Sequence, residues 1–169
     1  MTSDLAVDRC SESSSRRSAT KSLLSATLLA LGLAGCGGGD DSEPVPIEFA
    51  IVDEGSNSAL NQSAEFLSRT ARTDSEWQAM WVSNYIGTRP PPAPAVDFGR
   101  LMVIGAFLGG RPSICYAIAV REVRLSPQEV EVVYTERTPN GAGCPPGGSS
   151  PYQFVSIPTT SLPVRFRKI

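Results

Sequence analysis

A complete lack of histidine and the placement of four cysteines set the chemistry open to this sequence. Without an imidazole, the commonest general base and the commonest metal ligand are both missing. A serine or cysteine nucleophile would need another base. Beyond residue 35 the one lysine is Lys168, next to the end of the chain. Two carboxylates can cleave a glycosidic bond when they flank it. Asp53-Glu54 is the nearest such pair, but the run Asp53-Glu54-Gly55-Ser56-Asn57 reads as a turn, where solvation is the simpler role. Trp77 and Trp81, four residues apart, could stack on a sugar. The same spacing marks the buried face of a helix, which is the preferred reading. No catalytic residue, metal ligand or cofactor is assigned. The thiols of Cys36, Cys115 and Cys144 carry the chemistry that is left.

Cys36 closes a patterned stretch. Arg16, Arg17 and Lys21 precede residues 22–33, an apolar run of 12, and the sequence continues to Leu33-Ala34-Gly35-Cys36. Twelve residues are too few to span a bilayer, which takes about 20, and suit the apolar core of an export signal. Small side chains before Cys36 let a peptidase close on the backbone, and the thiol can take a diacylglyceryl group. The four residues resemble the lipobox of bacterial lipoproteins. The resemblance implies that residues 1–35 are a signal peptide and that Cys36 is the lipidation site. A transmembrane anchor and an ordinary cleaved signal are the alternatives. Several acyl chains, each buried CH2 worth about 0.8 kcal/mol, would make a stable attachment. Arg16-Arg17 also resembles a twin-arginine signal but lacks the bulky apolar residue usual after the pair, so Sec export is preferred. Residues 1–15 read as a long polar n-region or as sequence ahead of the true start. Gly37 follows Cys36, where an aspartate would suggest inner-membrane retention in enterobacterial-type sorting, and that resemblance implies the inner leaflet of the outer membrane, facing the periplasm.

The 169 residues give room for one ordinary domain, with 15 basic and 17 acidic side chains. Setting residues 1–35 aside leaves a net charge of −3. There is no basic stripe of the kind nucleic acid requires.

An exported domain folds where disulfides persist. Cys10 leaves with the signal and Cys36 is consumed by lipid, so Cys115 and Cys144 are expected to pair. Two free thiols or a metal-binding pair are the alternatives, and other ligands nearby are lacking. The Gly- and Pro-rich stretch over residues 138–151 would then be a loop pinned beside Cys115. Pro139, Asn140, Gly141, Pro145 and Pro146 are its candidate partner-binding residues, since loops held by a scaffold often carry binding.

The remaining pattern predicts the elements. Residues 36–46 form the lipid-anchored, flexible polar tether, and the domain covers 47–169. Residues 47–52 read as a first strand, and 63–70 hold a short second one. Thr73 and Glu76 have capping-box spacing, with Asp74 as an alternative cap. Trp77, Met80, Trp81 and Tyr85 then recur on one face of a helix that ends at Gly87 and the run Pro90-Pro91-Pro92-Ala93-Pro94. Residues 101–108 are continuously apolar, a strand buried on both faces. A turn over 109–113 leads into a long strand over 114–125, whose apolar phase shifts near Arg121-Glu122 and predicts a bulge. Val130, Val132 and Tyr134 alternate with polar residues in a hairpin partner, and Arg121 and Arg124 are expected to face Glu129 and Glu131 across it. Strands over 152–157 and around Val164 and Phe166 complete an α+β domain. It comprises an antiparallel sheet of five to seven strands packed with one helix.

Several of these segments resemble the C-terminal domain family of PrcB, a protease-complex-associated lipoprotein. The carrying residues are Glu76-Trp77-Gln78-Ala79-Met80-Trp81, Val96-Asp97-Phe98, and the run from Val103-Ile104-Gly105 through Gly109-Gly110-Arg111-Pro112. Tyr116-Ala117-Ile118, Pro151-Tyr152 and Pro163-Val164-Arg165-Phe166 continue the match. Ile114-Cys115-Tyr116 stands where that family usually has a Gly-Gly-Tyr turn. The resemblance implies a non-catalytic, accessory interaction role beside an envelope protease, and no catalytic residues. A small-ligand or glycan-binding lipoprotein is the alternative, with a carboxylate-based hydrolase behind it.

Overall fold

The computed structural model describes residues 43–85, 87, 89–139 and 143–169. Cys36 and the signal lie outside the described residues, as do Asn140 and Gly141 of the candidate loop. In chain order the elements are β1 (Val45–Ile47), β2 (Ala50–Gly55), β3 (Leu67–Ala71), α1 (Asp74–Asn84), β4 (Leu101–Phe107) and β5 (Arg111–Ser113). They are followed by β6 (Ala117–Leu125), β7 (Val130–Arg137), β8 (Pro146–Ser149), β9 (Tyr152–Pro158) and β10 (Val164–Lys168). The domain is α+β as expected, and the described residues form one helix and ten strands rather than five to seven. Among the described residues no helix is long and apolar enough to cross a membrane.

Two four-stranded sheets and a ribbon make up the β structure. Sheet I has the order β1-β6-β7-β10, sheet II has the order β2-β9-β4-β3, and β5 pairs with β8 alone. Every ladder is antiparallel except that of β10 with β7, which is parallel. β10 reaches sheet I from β9 of sheet II, so no hairpin dictates its direction.

The apolar run of β4 is central to the fold. Its residues alternate between two layers, which is why it shows no polar face. Met102 and Ile104, with Val155 and Ile157 of β9, pack against Val120, Val123, Val130 and Val132 of sheet I. Val103 and Phe107, with Tyr152 and Phe154 of β9, pack against Trp77, Met80 and Trp81 of α1. Sheet II is therefore the middle of three layers. Gly105 lies on its helix side, where an added Cβ would come within 2.8 Å of the Phe107 ring and 2.9 Å of the Phe154 ring. Only glycine leaves those rings their room.

The helix starts where the capping box places it. The Thr73 hydroxyl accepts from the Glu76 amide at 3.2 Å, and the Glu76 carboxylate accepts from the amides of Thr73 at 3.1 Å and Arg72 at 2.7 Å. Those amide donors, Arg72's above all, hold the Glu76 carboxyl below its usual range. The proline run does more than end the helix. A proline has no N–H but keeps its carbonyl, and here Pro94 accepts from the Trp77 indole at 2.9 Å and Pro91 from the Trp81 indole at 2.8 Å. Both tryptophans can be fully buried because their one polar atom is satisfied there.

Several local expectations change. The strand expected over 47–52 is two strands, separated by Glu48-Phe49, which carry the chain from sheet I to sheet II. Val45 and Pro46, assigned to the tether, already pair with Leu125 and Arg124. Asp53 and Glu54 are not in a turn but in β2, opposite Phe154 and Gln153. Ladder hydrogen bonding overrides the turn propensity of Asp-Glu-Gly. Within 109–113 the turn is confined to the two glycines, because Arg111 and Ser113 pair with Ser149 and Pro146 of the presumed loop. Gly109 has φ +78°, and a Cβ there would lie 2.1 Å from the Ser63 carbonyl oxygen. The bulge in β6 falls where the phase change puts it, between Val120 and Glu122.

Candidate functional site

β6 is covered along only part of its length. β1 pairs with Val123, Arg124 and Leu125 and then leaves for sheet II. Among the described residues the first half of β6 therefore has β7 on one side and no strand on the other. Beside that open edge lies a cleft of about 410 Å³. Its walls are the end of β2 at Glu54, the turn bearing Ile114 and Tyr116, and the outer surface of β6 and β7 at Arg121 and Arg137. Tyr152 of β9 contributes to its floor.

Buried polar groups fix this floor. The Tyr152 hydroxyl donates to Asp53 Oδ2 at 2.8 Å, the Tyr85 hydroxyl donates to the same oxygen at 3.3 Å, and the two phenol oxygens are 3.3 Å apart. Desolvation, the Tyr85 hydrogen bond and the Asp53 carboxylate push the Tyr152 phenol well above its ordinary range, so it stays protonated as a donor. Burial also raises Tyr85. Gln153, 2% exposed, joins the two sheets. Its Oε1 accepts from the Val120 amide at 2.7 Å and its Nε2 donates to Glu54 at 2.6 Å. Asp53 and Glu54 thus serve separate networks, to two phenols and to an amide, and do not flank a common space as a hydrolytic pair would.

The turn that forms one wall is held at both ends. Cys115 and Cys144 are joined by a disulfide with Cα atoms 5.9 Å apart, spanning 29 positions of sequence. Ser113 Oγ donates to the Pro145 carbonyl at 3.2 Å, and Ser149 Oγ donates to the Ser113 carbonyl at 2.7 Å. Of the candidate loop residues, Pro145 is exposed and Pro146 begins β8, while Pro139 lies just past the end of β7. The ribbon is also tied to sheet I. Arg111 Nε meets Glu136 Oε1 at 2.6 Å, and Lys168 Nζ meets Glu136 Oε2 at 2.6 Å, with the Glu136 side chain 8% exposed. Arg111, opposed by desolvation and aided by Lys168, holds the Glu136 carboxyl below its usual range. A carboxyl whose folded pKa lies below its unfolded value contributes stability above the unfolded pKa and loses it as pH falls through the folded one. Glu136→Gln should therefore cost about 1.5–3 kcal/mol at pH 7. Urea unfolding at pH 7 and at pH 3 would show the gap between variant and wild type closing at the lower pH.

The expected hairpin ion pairs are only half present. Arg124 meets Glu122 at 2.8 Å and Glu131 at 3.8 Å. Glu122 and Glu131 are held low, the first mainly by Arg124 and the second mainly by Arg167. Arg121 does not reach Glu129. It is the extra residue of the bulge, and its Nε donates instead to Thr135 Oγ1 at 2.9 Å. Arg165 takes Glu129, at 3.7 Å. Among the described residues, Arg121 and Arg137 are the two basic side chains of sheet I with no carboxylate in ion-pair range, and both line the cleft. The bulge and the acidic row were each visible in the sequence. Combining them would have shown that a bulge residue is turned out of register with that row.

Trp77 and Trp81 are 0% and 3% exposed, so neither ring is a platform for a sugar. Among the described residues no cluster of three or more Cys, Asp or Glu side chains could hold a metal ion. Comparison of the chain with protein-family models, with curated proteins and with solved structures finds no match.

Proposed function

We propose that the domain is a binding module, a rigid α+β scaffold presenting a cleft to another macromolecule, without a catalytic role. More particularly, it is a lipoprotein of the bacterial cell envelope, attached through Cys36 and facing the periplasm. The resemblance to the PrcB C-terminal domain family makes an envelope protease the first partner to test. The observation that supports this reading is the stapled wall. A turn held by a disulfide and by a hairpin of hydrogen bonds stands over unpaired basic side chains. Pinning such a wall lowers the entropy lost when a partner docks.

Two measurements test the two halves. Growth with labelled palmitate should label the wild type and not Cys36→Ala, and an unlabelled wild type would reject the anchor. Pull-down from detergent-solubilised envelopes should recover a stoichiometric protein partner, a secreted protease by preference. Recovery of none would reject the module.

A further inference from the structure

The unpaired edge of β6 and the two arginines beside it point to a particular kind of ligand. Val120 directs its amide away from β7, since that amide is taken by Gln153. In an antiparallel ladder the main-chain groups alternate in direction every residue. Ile118, two residues earlier and opposite Glu136, therefore also directs its N–H and C=O towards the open side, where no strand among the described residues pairs with it. On the outer surface of the same stretch stand Ala117 and Ala119, whose small side chains leave the flanking guanidinium groups uncovered. Arg137 is opposite Ala117, and Arg121 is oriented by its bond from Nε to Thr135, which leaves its terminal nitrogens available.

We propose that the cleft receives an extended acidic segment of a partner protein, which adds as a strand to β6 at Ile118 and sets carboxylates on Arg121 and Arg137. This rests on the binding-module reading and names what the module recognises. Strand addition supplies affinity through main-chain hydrogen bonds, and the side chains above the new strand supply selectivity. The charges select an acidic segment. The domain is otherwise net acidic and pairs its remaining sheet I cations internally, so two uncompensated guanidinium groups over an open edge are the exception on that surface. Glu54 on the opposite wall is already engaged by the Gln153 amide. β1 itself stops short of this edge, since its register with β6 runs only from Val45 opposite Leu125 to Ile47 opposite Val123.

The probe is an acetylated and amidated hexapeptide of alternating Glu and Val, compared with its Gln-Val counterpart so that chain termini add no charge. Titration of the labelled domain should shift the Ile118, Ala119 and Arg121 resonances and slow exchange of the Ile118 amide. The Gln-Val peptide should bind roughly tenfold more weakly or less, as should the Glu-Val peptide on Arg121→Ala/Arg137→Ala, each losing hydrogen bonds to a charged group. Unchanged near-ultraviolet dichroism would confirm the variant's fold. Equal binding of the two peptides, an unaffected Ile118 amide, or the same shifts from sodium acetate alone would overturn the proposal. The envelope pull-down repeated with Arg121→Glu/Arg137→Glu separates the two readings. A partner kept by this variant sinks the cleft assignment alone, whereas no partner on the wild type sinks the module.

Discussion

Trp77→Ala should cost about 3–5 kcal/mol, the range for deleting a fully buried tryptophan. For a domain of this size that is a large part of the total stability. The side chain is 0% exposed and meets Phe154 edge-on at 5.0 Å and Trp81 at 5.2 Å. Its removal opens a void between the helix and sheet II, where Met80, Val103 and Phe107 belong to the same cluster. It also leaves the Pro94 carbonyl without its indole donor. Trp77→Phe narrows the comparison, because it keeps a six-membered ring in the space and drops the hydrogen bond, worth about 1 kcal/mol, together with the smaller part of the indole. Urea titrations of both variants should show the alanine midpoint far below the phenylalanine one. If both midpoints coincide with that of the wild type, the helix does not depend on the tryptophan for its seat.

Cys115→Ser/Cys144→Ser should cost roughly 3–4 kcal/mol, from a closed loop spanning 29 positions. Here the loss arises mostly in the unfolded chain, which regains the freedom the cross-link had removed. The core is untouched by this change, since neither cysteine belongs to a hydrophobic cluster. The denaturation midpoint should fall while the tryptophan emission maximum of the native state stays in place. Hydrogen exchange should show the effect unevenly, with β5 and β8 exchanging faster than β4 and β9 under native conditions. A uniform change across the domain would mean that the staple acts on the whole fold rather than on the ribbon. The reduced domain should also take up the Glu-Val hexapeptide less tightly, because Ile114 and Tyr116 flank Cys115 and line the cleft.

The parts of this fold that were legible in the sequence are those fixed by local pattern. Thr73 and Glu76 cap the helix because the box needs only two side chains three residues apart. The bulge shows as a shift in apolar phase, and β4 shows as a run with no polar gap. The pairing of Cys115 with Cys144 followed from counting. The site was much less legible. Gln153 sits inside a largely apolar strand, and nothing nearby in sequence says that its amide serves Val120, 33 positions away. Asp53-Glu54-Gly55 has turn chemistry, and only its distant partner β9 makes it a strand. The ribbon of β5 and β8 was hidden because Pro112 and the Gly147-Gly148 pair are poor strand formers, and a disulfide holds together what propensity would not. The phenol pair of Tyr85 and Tyr152 joins residues 67 positions apart. Local preference cannot reveal contacts of that range.

The short ladder of β1 with β6 has a consequence for reach. The chain enters the domain beside Leu125, and β6 runs from there back to Ala117. Eight residue steps of strand at about 3.3 Å each separate the two ends by roughly 26 Å. The point where the described chain enters and the open half of β6 thus lie at opposite ends of one strand, so a tag or carrier fused ahead of Val45 should leave the cleft accessible.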